Sequence, residues 1–85
     1  MKRIAIFASG NGSNAENICN YFSSSSRASV EVLYTNKEDS YVIERMKKLE
    51  IPVVFFSKSD MINSLEIDNS LSEKKIDFIV LSGFL

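Results

Sequence analysis

The sequence predicts an α/β fold, a Rossmann-like parallel sheet in the order β-α-β-α-β-α-β, and three observations carry that expectation. Short apolar runs recur at Ile4 to Ala8, Val30 to Tyr34, Val53 to Phe56 and Phe78 to Leu81, each rich in the Val, Ile, Phe and Tyr that strands favour. The segments between them carry helical spacing. No internal repeat or interdomain linker interrupts the alternation, and strands alternating with helices join by right-handed crossovers into a doubly wound sheet.

Taken in order, the first, third and fourth runs are nearly continuous in apolar residues, as parallel strands covered on both faces require. The second is different: Val30-Glu31-Val32 alternates, which places it nearer a sheet edge. After the first strand, Ala15, Ile18, Cys19 and Phe22 fall on one helical face, with Glu16, Asn17 and Asn20 on the other. Ser13 followed by Glu16 reads as a capping box, and Ser23 to Ser26 as a polar loop. The second helix repeats the spacing with Val42, Ile43, Met46 and Leu49, capped by Asp39 or Ser40 and closed before Pro52. A third helix, roughly Asp60 to Lys75, carries Met61, Leu65 and Leu71, but Asp68, Asn69 and Ser70 interrupt its apolar face.

Composition narrows the function. An 85-residue chain is at most one small domain with a thin core, and 45% hydrophobic with 25% charged residues is the balance of a soluble globular chain. A net charge of -1 supplies no diffuse positive field for nucleic acid or an anionic membrane, so an anion must be held locally. Met1-Lys2-Arg3 before an apolar run imitates a signal peptide, yet the run stops at Ser9, too soon for an h-region or a membrane span. The expectation is a cytoplasmic protein with neither nucleic acid nor membrane as partner.

The local anion site is Gly10-Asn11-Gly12-Ser13-Asn14-Ala15, which satisfies G-x-G-x-x-A between a predicted strand and a predicted helix. Glycine permits positive φ and close backbone approach, and the N–H groups opening a helix attract anions. Ser13 and Asn14 add side-chain donors. A tight strand-to-helix turn with a serine cap has the same spacing, so the pattern alone leaves both readings open. A dinucleotide site further demands an acidic residue after the second strand. Tyr34-Thr35-Asn36-Lys37 stands there instead, and Glu38 and Asp39 come late and read as caps, which disfavours NAD.

Ile6 to Asn14, Tyr34-Thr35-Asn36-Lys37 and Val80-Leu81-Ser82-Gly83-Phe84-Leu85 together resemble the phosphoribosylglycinamide formyltransferase family of purine biosynthesis, from Met1 to Leu85. Those enzymes pass a formyl group from 10-formyltetrahydrofolate to the amine of 5-phosphoribosylglycinamide. The resemblance implies that residues 1–85 form the N-terminal, substrate-phosphate-binding part of a formyltransferase domain, half of that fold, stopping after the fourth strand. It assigns Gly10, Asn11, Gly12, Ser13 and Asn14 to the substrate and Leu85, with a plain core role as the alternative, to the border of the folate pocket.

The family's Asn, His and Asp catalytic group has no counterpart here. Formyl transfer creates an oxyanion and moves a proton near neutral pH, and a chain with no histidine lacks the usual shuttle. The chain alone is expected to be inactive, to carry no catalytic residue and no metal, and to hold no folate by itself. The alternative is a non-catalytic nucleotide- or phosphate-binding Rossmann-like module. Cys19, the single cysteine, reads as core. Asp60, Asp68 and Asp77 read as cap, solvated face and strand start, and Lys47-Lys48 and Lys74-Lys75 as solvated helix ends. Because the fourth strand is central in the resembled fold, its edge is expected to be bare here and to favour self-association.

Overall fold

The computed structural model describes residues 2–10, 12–37, 41–57 and 65–82. Its elements follow the predicted order: β1 (Lys2–Phe7), α1 (Ser13–Phe22), β2 (Ala28–Thr35), α2 (Tyr41–Lys48), β3 (Val53–Phe55), α3 (Leu65–Glu73) and β4 (Phe78–Leu81). All pairings are parallel, in the strand order β3-β2-β1-β4. The Asp39 or Ser40 cap and the Asp60 and Met61 start of the third helix lie outside the described residues.

β1 and β2 show why continuous apolar runs suit the sheet centre. Successive side chains point to opposite faces, so Ile4, Ile6, Ala8 and Leu33 meet Ala15, Cys19, Val42 and Met46 of α1 and α2. On the other face Ala5, Phe7, Val32 and Tyr34 meet Phe56 and Ile67. Phe7 and Tyr34 stack there with ring centroids 4.9 Å apart. The fully buried Tyr34 carries its hydroxyl to Ser70 Oγ at 2.6 Å, which satisfies the polar tip and pins α3 over the sheet.

The alternation at Val30-Glu31-Val32 does not make β2 an edge strand. β2 lies inside the sheet, between β3 and β1, but its register on β1 shifts between Ile4 and Ala5: Val30 pairs with Ile4 and Val32 with Ala5. Glu31 is the extra residue of a bulge. Its carboxylate accepts from Ser29 Oγ at 2.7 Å and faces Arg3 Nη1 at 3.4 Å. β3 reaches only Leu33 to Thr35, so the first half of β2 is edge-like within an interior strand.

β4 departs from the double cover expected of apolar runs. It pairs with β1 from Ile4↔Phe78 to Phe7↔Leu81, yet Phe78, Ile79 and Leu81 remain exposed. Among the described residues nothing lies beyond it in the sheet. The strand is anchored at its start: Arg3 N–H donates to Asp77 Oδ2 and Asp77 N–H to the Arg3 carbonyl, both at 2.8 Å, while Arg3 Nε donates to the Lys74 carbonyl at 2.7 Å. That is the strand-start role read for Asp77.

Two helix ends lack the usual glycine. Glu50 and Lys75 adopt φ of 60° and 55°. Ile51 N–H reaches back to the Met46 carbonyl at 2.9 Å and Ile76 N–H to Leu71 at 3.1 Å, the six-residue loops of a Schellman end.

Candidate functional site

β1 ends against β2, with Ala8 N–H donating to the Tyr34 carbonyl at 3.0 Å, and the chain then turns through buried Ser9 and exposed Gly10. Gly12 has φ 83° and ψ 12° and is the N-cap of α1, whose ladder begins with Glu16 N–H donating to the Gly12 carbonyl at 2.8 Å. The cap is therefore Gly12, and Ser13 is the first helical residue, which corrects the capping box. The physical reason is the left-handed turn: once Gly12 takes it, helical geometry begins at Ser13. Glu16 is then engaged elsewhere, accepting from Arg45 Nη1 at 3.0 Å.

The two described glycines of the turn serve different needs. A Cβ on Gly12 would stand 2.4 Å from Val42 Cγ2, so both the positive φ and the close approach of α2 exclude a side chain there. A Cβ on Gly10 would meet nothing within 4 Å, and its φ is not positive. Space, not conformation, is what Gly10 leaves.

Topology puts this turn where open α/β sheets bind ligands. From β1 the chain moves outward to β2 and β3, then crosses back so that β4 flanks β1 on the other side. The order reverses between β1 and β4, and the crevice beyond the carboxyl ends at such a reversal is the general ligand position. Ser82 enters here, its N–H donating to the Phe7 carbonyl at 2.8 Å. Periodicity alone did not reveal this neighbour, because the strand order has to be known first.

Gly10, Gly12, Ser13 and Asn14 lie together at the turn, with Ser13 and Asn14 exposed on the first turn of α1. Asn11 and Leu85 lie outside the described residues. Asn36 follows β2 with Lys37 N–H donating to Thr35 Oγ1 at 3.3 Å, so an amide and a lysine stand in place of an acidic ribose ligand. Helix α1 brings the positive end of its dipole and its opening N–H groups to the turn. No cluster of His, Cys, Asp and Glu suited to a metal occurs among the described residues. Cys19 is buried with Sγ 3.8 Å from Met46 Sδ, and burial, helped by the Glu16 charge, pushes its thiol up to about 11, which makes it a packing residue rather than a nucleophile. Among the described residues no helix is long and apolar enough to cross a membrane.

Fold and site together define a Rossmann-like α/β chain with a glycine turn at its topological switch point. The chain belongs to the formyl transferase family, whose pattern matches residues 2–85. Two curated relatives, the phosphoribosylglycinamide formyltransferases of Haemophilus influenzae and Bacillus subtilis, are each 32% identical over 90 residues; the alignments cover all of this chain and 42% and 46% of theirs. The crystal structure of phosphoribosylglycinamide formyltransferase from Bacillus halodurans superposes with a TM-score of 0.84 at 41% identity, over 98% of this chain and 45% of that one. Glycinamide ribonucleotide transformylase 1 from Geobacillus kaustophilus gives 0.89 at 34%, over 100% and 48%. The chain thus spans less than half the length of these relatives.

Proposed function

We propose that these residues form the substrate-phosphate part of a phosphoribosylglycinamide formyltransferase, an enzyme that transfers a formyl group from 10-formyltetrahydrofolate to 5-phosphoribosylglycinamide in purine biosynthesis. One observation carries the reading: the left-handed Gly12 and the start of α1 stand at the switch point of a chain that aligns throughout with enzymes of that name. Gly10, Asn11, Gly12, Ser13 and Asn14 hold the phosphate, with backbone N–H groups supplying most of the grip. Residues 1–85 alone bind without catalysing, because they contain no histidine to move the proton. Leu85 borders the folate pocket in this reading.

Amide NMR of the 85-residue chain, titrated in parallel with ribose 5-phosphate, NAD and 10-formyltetrahydrofolate, tests it. Shifts at Gly10, Gly12 and Ser13 with ribose 5-phosphate and none with folate are expected; preferential binding of NAD would turn the reading to a nucleotide module. Formyl transfer above background by this chain would overturn its inactivity. The exposed apolar β4 also favours self-association. A monodisperse monomer by light scattering at high concentration would remove that part of the proposal.

A further inference from the structure

The phosphate reading of the turn leaves one cluster unexplained, a partly buried ion pair one helical turn below it. Glu16 stands four residues after Gly12, a rise of about 6 Å along α1, and its own N–H donates to the Gly12 carbonyl. A carboxylate in the first turn stabilises a helix through the dipole, and for the same reason it competes with any anion drawn to that helix end. Its field reaches its neighbours: Glu16 is the second cause, after burial, of the raised Cys19 thiol. A phosphate at Gly12 and Ser13 would meet that field.

Helix α2 answers the charge. Arg45 Nη1 lies 3.0 Å from Glu16 Oε1, the two side chains only 24% and 31% exposed, and the guanidinium rests over the Tyr41 ring at 4.9 Å from its centroid. One turn earlier on α2, fully buried Val42 occupies the space that a side chain on Gly12 would need. The helix that supports the turn sterically through Val42 therefore also carries the cation that cancels the acid beneath it.

We propose that Arg45 is a positioning residue for the anion turn: by neutralising Glu16 it keeps the start of α1 attractive to phosphate. This rests on the turn being the phosphate site. The two members of the pair then act with opposite signs. Removing Arg45 exposes the acid and weakens anion binding, removing Glu16 leaves a surplus cation and strengthens it, and removing both returns the turn to where it began. A mechanical brace between α1 and α2 would behave otherwise, since loss of either partner would loosen the turn.

Phosphate titrations followed at the Gly12 and Ser13 amides at low ionic strength separate these outcomes. Arg45→Met is expected to bind inorganic phosphate about two- to threefold more weakly than wild type, and Glu16→Gln about two- to threefold more tightly, from charges held roughly 6–10 Å away in a partly buried setting. The double variant should lie within about twofold of wild type. These differences should shrink at 1 M salt, where the Debye length falls to about 3 Å. Equal weakening in both single variants, or no change in either, overturns the role of Arg45. If Arg45→Met does not fold, Glu16→Gln decides alone: tighter binding supports the proposal and weaker or unchanged binding overturns it. Failure of the wild-type chain to bind phosphate or ribose 5-phosphate sinks the phosphate reading itself; wild-type binding with insensitive variants sinks only this inference.

Discussion

β1 and β4 are neighbouring parallel strands of nearly the same apolar character, and they end in opposite environments. Ile6 of β1 is sealed with none of its surface exposed, while Ile79 of β4, which pairs with the adjacent Ala5, is 51% exposed. β1 has β2 on one side, β4 on the other, and helices on both faces; β4 has one strand neighbour and little above or below it among the described residues. An apolar run states what a strand needs and leaves open what supplies it. The glycine turn repeats the contrast in miniature, Gly12 pressed against Val42 and Gly10 open.

The largest expected effect comes from truncating the sealed strand. Ile6→Ala should destabilise by about 2–5 kcal/mol in urea unfolding, because a buried isoleucine leaves both lost transfer energy and a cavity. Ile79→Ala should change stability by less than about 1 kcal/mol, since its site is already half in water. Comparable losses would show that β4 is covered in solution.

The turn gives the next effect. Gly12→Ala should cost about 2–4 kcal/mol, combining the left-handed backbone penalty with displacement of Val42. Gly10→Ala should leave stability within about 0.5 kcal/mol but weaken phosphate binding, because its methyl group fills the space kept for ligand. A folded, fully stable Gly12→Ala would break the contrast between the two glycines.

Smallest are the helix ends, one on each side. Glu50→Gly at the close of α2 and Lys75→Gly ahead of β4 should each stabilise by about 0.5–1 kcal/mol, as glycine relieves the positive φ at some cost in unfolded-chain entropy. Thermal melts would show it, and a lower Tm for Glu50→Gly would indicate that its side chain contributes more than its backbone costs.

Much of this is legible in the sequence. The four strands lie within two residues of their apolar runs at either end, and Ala15, Cys19, Val42 and Met46 are buried as helical spacing requires. Ser13-x-x-Glu16 fits a capping box locally, but the left-handed Gly12 starts the helix one residue earlier and Arg45, distant in sequence, takes the Glu16 carboxylate. Glu31 looked like an edge signal because a bulge residue and an edge residue both tolerate charge. The ends at Glu50 and Lys75 had no glycine to announce them.

The sequence by itself determined the alternation of strands and helices, the glycine turn after β1 and the absence of histidine, because these follow from side-chain period, backbone freedom and residue chemistry along the chain. Only the tertiary structure decided which strands became neighbours, that β4 crosses back to β1 and places Ser82 beside the turn, and that Arg45 meets Glu16. Those facts depend on contacts between residues far apart in the chain, and periodicity cannot reach across such distances.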